Sequence, residues 1–132
     1  MAQVVSCFMG DRFRATVPVA ANYPYWFESS DNQRANCVGT VAVWTMFGEN
    51  DTHFTGQDYP GAYGDACRDF WLEENECDGV NNHSVLEWGE AECVGYLGCK
   101  DEVQYCLYDA QWGHQIPQDY FAQASMDFFR QF

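Results

Sequence analysis

Two residues that lie far apart in the chain, Asp51 and His114, have the chemistry of an acid–base pair. Asp51 follows the apolar run at residues 41–47, and His114 lies within the segment 112–117. Histidine is the side chain best suited to move a proton near neutral pH, and a carboxylate on its other ring nitrogen orients it. We therefore predict that His114 acts as a catalytic base and that Asp51 holds it in place.

A serine hydrolase would add a nucleophile to this pair, and the sequence does not supply one in the usual setting. No Gly-x-Ser-x-Gly turn occurs in the chain. Ser6 and Cys7 lie along a predicted first helix. At ~1.5 Å per residue they are roughly 10 Å from the start of that helix, where the serine of such a turn would lie. Without such a nucleophile the pair could instead activate water directly, which would give weak hydrolysis of activated esters.

The elements that must position the pair alternate along the chain between helical and extended patterns. Helices are predicted at residues 1–9, 62–75 and 118–130, and strands at residues 13–21, 40–47, 85–88 and 102–108. This alternation predicts an α/β domain with a small, mostly parallel sheet flanked by helices, and a single domain over residues 1–132. Such sheets bind ligands at the carboxyl ends of their strands, and Asp51 and His114 each follow a strand.

The charge balance limits the partners of the chain. Its 132 residues include 20 acidic and 6 basic side chains, which gives a net charge of −14. Such a field repels nucleic acid and anionic membranes, so we expect neither as a partner. No apolar run reaches the roughly 18 residues that span a bilayer, and the first residues do not have the pattern of a signal peptide.

Seven cysteines are a large number for a chain of this length. Their spacing lacks the Cys-x-x-Cys pairs that zinc sites usually show, so disulfides are favoured over free buried thiols and over a metal site. We expect no metal and no cofactor. Because the number is odd, at least one thiol is left over, and Cys67, within the predicted helix at 62–75, is our choice.

Several segments of the chain share an order and spacing with one group of secreted enzymes. They are Cys7 with residues 11–20, residues 39–44 with 48–52, residues 68–71 with 75–77, residues 93–99, residues 103–106, the run Gly113-His114-Gln115-Ile116-Pro117, and residues 128–132. Together they resemble feruloyl esterases and polyhydroxybutyrate depolymerase-like esterases over nearly the whole chain.

The resemblance implies an α/β-hydrolase that cleaves ester bonds on plant polysaccharides or polyesters, with Asp51 as the acid and His114 as the base. It also implies that the chain is the C-terminal half of such an enzyme, because the N-terminal strands and the nucleophile turn have no counterpart here. A secreted or periplasmic location follows from the resemblance and the cysteine usage. Among the many pairings that seven cysteines allow, we expect three disulfides. They are Cys7–Cys37, Cys77–Cys106 and Cys93–Cys99.

Two other functions remain open at this point. The aromatic residues Trp26, Tyr59 and Trp112 are candidates for substrate binding, and they would also suit a non-catalytic module for carbohydrates or phenolic compounds. Alternatively, the chain is a half-enzyme that needs a partner chain. Because half a sheet leaves one strand edge unpaired, we expect a homo-oligomer formed through that edge.

Overall fold

The structure is a computed structural model that describes residues 2–21, 37–51, 62–88, 91–108 and 114–132. The α-helices in these residues are α1 (Ala2–Phe8), α2 (Ala62–Glu74) and α3 (Phe121–Phe129). The strands are β1 (Ala15–Thr16), β2 (Ala42–Gly48), β3 (His83–Trp88), β4 (Ala91–Tyr96) and β5 (Val103–Tyr108). A short 3₁₀ helix, Gly10–Arg12, follows α1. No helix in the described part of the chain is long and apolar enough to cross a membrane.

The strand β2 is the centre of the packing, because all seven of its residues are buried. A strand covered on both faces needs apolar side chains in both directions, which explains the unbroken apolar run in its sequence. Val43 and Phe47 pack with α2 on one face of the sheet. Trp44 and Met46 pack with α3 on the other face.

The sheet has the strand order β1-β2-β5-β4-β3, with parallel and antiparallel pairs in different halves. The strands β1, β2 and β5 are parallel neighbours. The strands β5, β4 and β3 are antiparallel neighbours. The predicted α/β-hydrolase fold with a mostly parallel sheet is therefore wrong. The physical reason is β4, which the sequence analysis did not predict and which forms a hairpin with β3 before pairing with β5.

Three disulfides join the described residues, and one of them has the predicted partners. Cys7 is bonded to Cys37 as expected. The other two expected pairs are wrong, because the bonds join Cys77 to Cys99 and Cys93 to Cys106 instead. The second of these follows from the register of the sheet, since Cys93 on β4 lies directly opposite Cys106 on β5. Cys67 is a free, buried thiol, as predicted.

Candidate functional site

The parallel pairing of β2 and β5 brings Asp51 and His114 to the same edge of the sheet. The last residues of the two strands, Gly48 and Tyr108, are partners in the register. The Glu49 N–H donates to the backbone oxygen of Tyr108 at 3.1 Å, so the pairing continues just past the strand ends. The Asp51 N–H then donates to the backbone oxygen of Gly48 at 3.1 Å, which closes a tight turn. Two segments that are distant in sequence thus end side by side.

The side chains of the predicted pair are in contact. His114 Nδ1 lies 2.8 Å from Asp51 Oδ2. The Asp51 side chain is fully buried, whereas the His114 side chain is 41% exposed. A carboxylate that is ionised can only accept a hydrogen bond, so in that state Nδ1 is the donor and Nε2 is the nitrogen that can take up a proton. The geometry is therefore that of an imidazole oriented by a buried acid.

Tyr108 borders this pair and was missed by the sequence analysis. Burial first, and then the nearby negative charge of Asp51, raise the pKa of Tyr108 to about 12, against a backbone hydrogen bond with Gly48 that lowers it. Its hydroxyl therefore stays neutral at physiological pH. The available signal was positional, because Tyr108 ends the predicted strand that leads to His114.

Neither of the two candidate nucleophiles in the first helix is placed for such a role. The Ser6 hydroxyl donates to the Ala2 carbonyl oxygen at 2.9 Å within α1, and Ser6 is 4% exposed. Cys7 has no free thiol, because it is disulfide-bonded to Cys37. The three predicted substrate-binding aromatics, Trp26, Tyr59 and Trp112, lie outside the described residues. Within the described ranges, no group of three or more potential metal ligands occurs.

Comparisons with known proteins point away from the predicted family. No protein-family model matches the chain. No solved structure matches it either. Among curated proteins, kappa-theraphotoxin-Cg1a 5 from Chilobrachys guangxiensis is 30% identical over 77 residues, which cover 58% of this chain and 86% of the relative.

The predicted membership of the feruloyl esterase and depolymerase-like group is therefore wrong, and the hydrolase and esterase designation taken from it has no support. The three disulfides and the similarity to a toxin indicate an extracellular protein.

Proposed function

The chain belongs to the family of kappa-theraphotoxin-Cg1a 5, and we propose that this extracellular protein carries a general-base site formed by Asp51 and His114. The reaction that suits such a site is the hydrolysis of activated carboxylic esters by water. The observation that carries the proposal is the 2.8 Å contact between a fully buried carboxylate and a partly exposed imidazole. It rests on this geometry and not on any family resemblance.

The proposed mechanism moves one proton through His114. Water attacks the ester carbonyl carbon while His114 Nε2 takes a proton from that water. The buried Asp51 carboxylate, bonded to Nδ1, stabilises the imidazolium that forms. The same proton then passes to the alcohol oxygen as its bond to the carbonyl carbon breaks. The products are a carboxylic acid and an alcohol, and the histidine returns to its neutral form.

This mechanism limits the rate that we expect. A positioned general base contributes about 10²- to 10⁴-fold over the uncatalysed reaction. A covalent acyl intermediate and a dedicated oxyanion hole, of which one donor is commonly worth about 3 kcal/mol, have no part in the proposal. We therefore expect slow turnover, confined to esters with good leaving groups.

The test is the hydrolysis of p-nitrophenyl acetate by the protein with its three disulfides formed. We expect the variant H114A to lose most of the rate above that of the buffer. The control is H83A, because His83 is an exposed histidine that could catalyse the reaction without any oriented pair. Its Nδ1 lies 3.0 Å from the backbone oxygen of Val80 rather than beside a carboxylate. If H114A and H83A lose the same small fraction of the rate, the pair is not the site.

A second variant tests the role of Asp51 in orienting and stabilising the ring, separately from the basicity of His114. Asp51→Asn keeps the size of the side chain but no longer stabilises an imidazolium. We expect D51N to lower kcat at least tenfold, by about 1.4 kcal/mol or more of transition-state stabilisation, while the near-UV circular dichroism stays unchanged. A folded D51N protein with full activity would contradict the proposed role of Asp51.

The relative supports a second candidate function, which is action as a toxin-like ligand without turnover. Under this proposal the protein affects living cells through binding alone. H114A would keep that effect, and reduction of the three disulfides would abolish it. A protein that has no effect on cells up to its solubility limit would exclude this candidate.

A further inference from the structure

A cavity of about 670 Å³ lies between α2 and the antiparallel half of the sheet. Arg68 from α2 and Val85, Val94, Tyr96, Tyr105 and Leu107 from the sheet are among its lining residues. Neither Asp51 nor His114 lines it, so it is separate from the proposed general-base site. Its volume falls within the range of about 300–1,000 Å³ that is typical of small-molecule sites.

The cavity exists because α2 covers only part of this sheet face. The helix packs against β2 and β5, and its side chains Phe70 and Trp71 belong to the core cluster there. The hairpin of β3 and β4 extends past the helix. On β3, Val85 also lines the cavity and is 81% exposed. Among the residues that the structure describes, the face of the hairpin beside α2 is therefore apolar and open.

The charges around the cavity favour a neutral ligand. The Arg68 guanidinium is the cation in the wall, and it is held at 2.8 Å by both Asp65 and Asp69. Its side chain is only 17% exposed, and it lies 5.6 Å from the centre of the Tyr105 ring. Glu92 adds a further negative charge to the lining. An anion would thus meet an already neutralised arginine in a chain of net charge −14.

The walls favour an aromatic ligand. The rings of Tyr96 and Tyr105 and the aliphatic side chains provide flat, apolar contact area. The Tyr105 hydroxyl is itself buried against Gly64 of α2, so the wall offers a ligand the apolar contact area of the ring.

We propose that this cavity is a binding site for neutral aromatic small molecules. The proposal does not depend on the Asp51–His114 pair, so the two can fail separately.

Two matched fluorescent probes test the preference for a neutral ligand. N-phenyl-1-naphthylamine is neutral, and 8-anilinonaphthalene-1-sulfonate has the same rings with an added sulfonate. We expect the native protein to bind the neutral probe with saturation, and at least about tenfold more tightly than the anionic probe. Equal or tighter binding of the anionic probe, or no saturable binding of the neutral one, would overturn the proposal.

Three glutamate variants test whether the neutral probe binds in the cavity. V94E puts a charge on the cavity wall, and we expect it to lower the affinity for the neutral probe at least about tenfold. V85E does the same at the exposed rim, where folding tolerates the change, and we expect a loss of about threefold or more. The control is V38E, since Val38 is 47% exposed and does not line the cavity. If V85E binds like the native protein, or if V38E loses as much affinity as V85E, the probe binds elsewhere.

Discussion

Replacement of Gln3 by leucine tests whether the packing of α1 on α2 depends on one buried amide. Gln3 is 1% exposed. Its side-chain oxygen accepts a hydrogen bond from Trp71 Nε1 at 2.8 Å and another from Cys67 Sγ at 3.0 Å. Its side-chain nitrogen donates to the backbone oxygen of Ala21. One residue of α1 therefore satisfies groups on α2 and on the segment after β1.

The expected loss follows from the groups that leucine would leave unpaired. The indole N–H of Trp71 is buried, and an orphaned buried donor costs about 1–3 kcal/mol. The bond to Ala21 is only partly buried and adds about 1 kcal/mol. Leucine is more apolar than glutamine, which offsets the loss by roughly 1 kcal/mol. We therefore expect Q3L to lower the free energy of unfolding by about 1–3 kcal/mol.

Urea unfolding followed by tryptophan fluorescence measures this loss. The control Q131L changes an exposed glutamine and should stay within about 0.5 kcal/mol of the native protein. W71F removes the indole donor itself. The loss in the free energy of unfolding that W71F causes should therefore be about 1–2 kcal/mol smaller in the Q3L protein than in the native protein. Equal unfolding midpoints for Q3L and Q131L, or a cycle without coupling between the two sites, would refute the reasoning.

Two further predictions concern the free thiol and the sheet edges. Burial raises the pKa of Cys67 from 9.0 to about 12. The contribution of the buried, protonated thiol to the free energy of unfolding is therefore complete below about pH 9 and is lost as the pH rises towards 12. Between pH 8 and pH 10 the free energy of unfolding should fall by about 1.4 kcal/mol more in the native protein than in C67A, measured by urea unfolding at each pH, and equal slopes would contradict this. We also propose that the chain self-associates through an edge strand, either β1 or β3. Light scattering should then give a mass of at least twice 15.1 kDa, and a monodisperse monomer would count against it.

Local patterns in the sequence predicted most elements but not how the strands are arranged. The helix predicted at residues 62–75 corresponds to α2, and the apolar run at 40–47 corresponds to β2, because both have strong periodic signals. The missed strand β4 carries Gly95, and a glycine weakens the appearance of a strand. In the structure a Cβ at this glycine would lie 3.0 Å from Leu86 Cδ1 on β3, so that leucine side chain would have to shift by a few tenths of an ångström.

The candidate site was more predictable than the disulfides. Asp51 and His114 both follow strands, and adjacent parallel strands end at one edge, so the position of each residue carried the information. The partner of Cys106 depends instead on which strand lies beside β5 and in which register. That is a property of the whole sheet, and the spacing of cysteines in the sequence does not contain it.

The register of β2 against β5 has a consequence for the order in which the chain folds. Val43 pairs with Val103, so this contact must close a loop that contains α2 and the whole β3–β4 hairpin. Closing such a loop costs conformational entropy before any contact compensates for it. The β3–β4 hairpin is a local contact, the Cys93–Cys106 bond joins residues only 13 apart in sequence, and Cys77–Cys99 joins residues 22 apart. When these local links form first, they shorten the remaining path between the two parallel strands. These separations therefore favour a folding order in which the antiparallel half forms before the edge that carries Asp51 and His114.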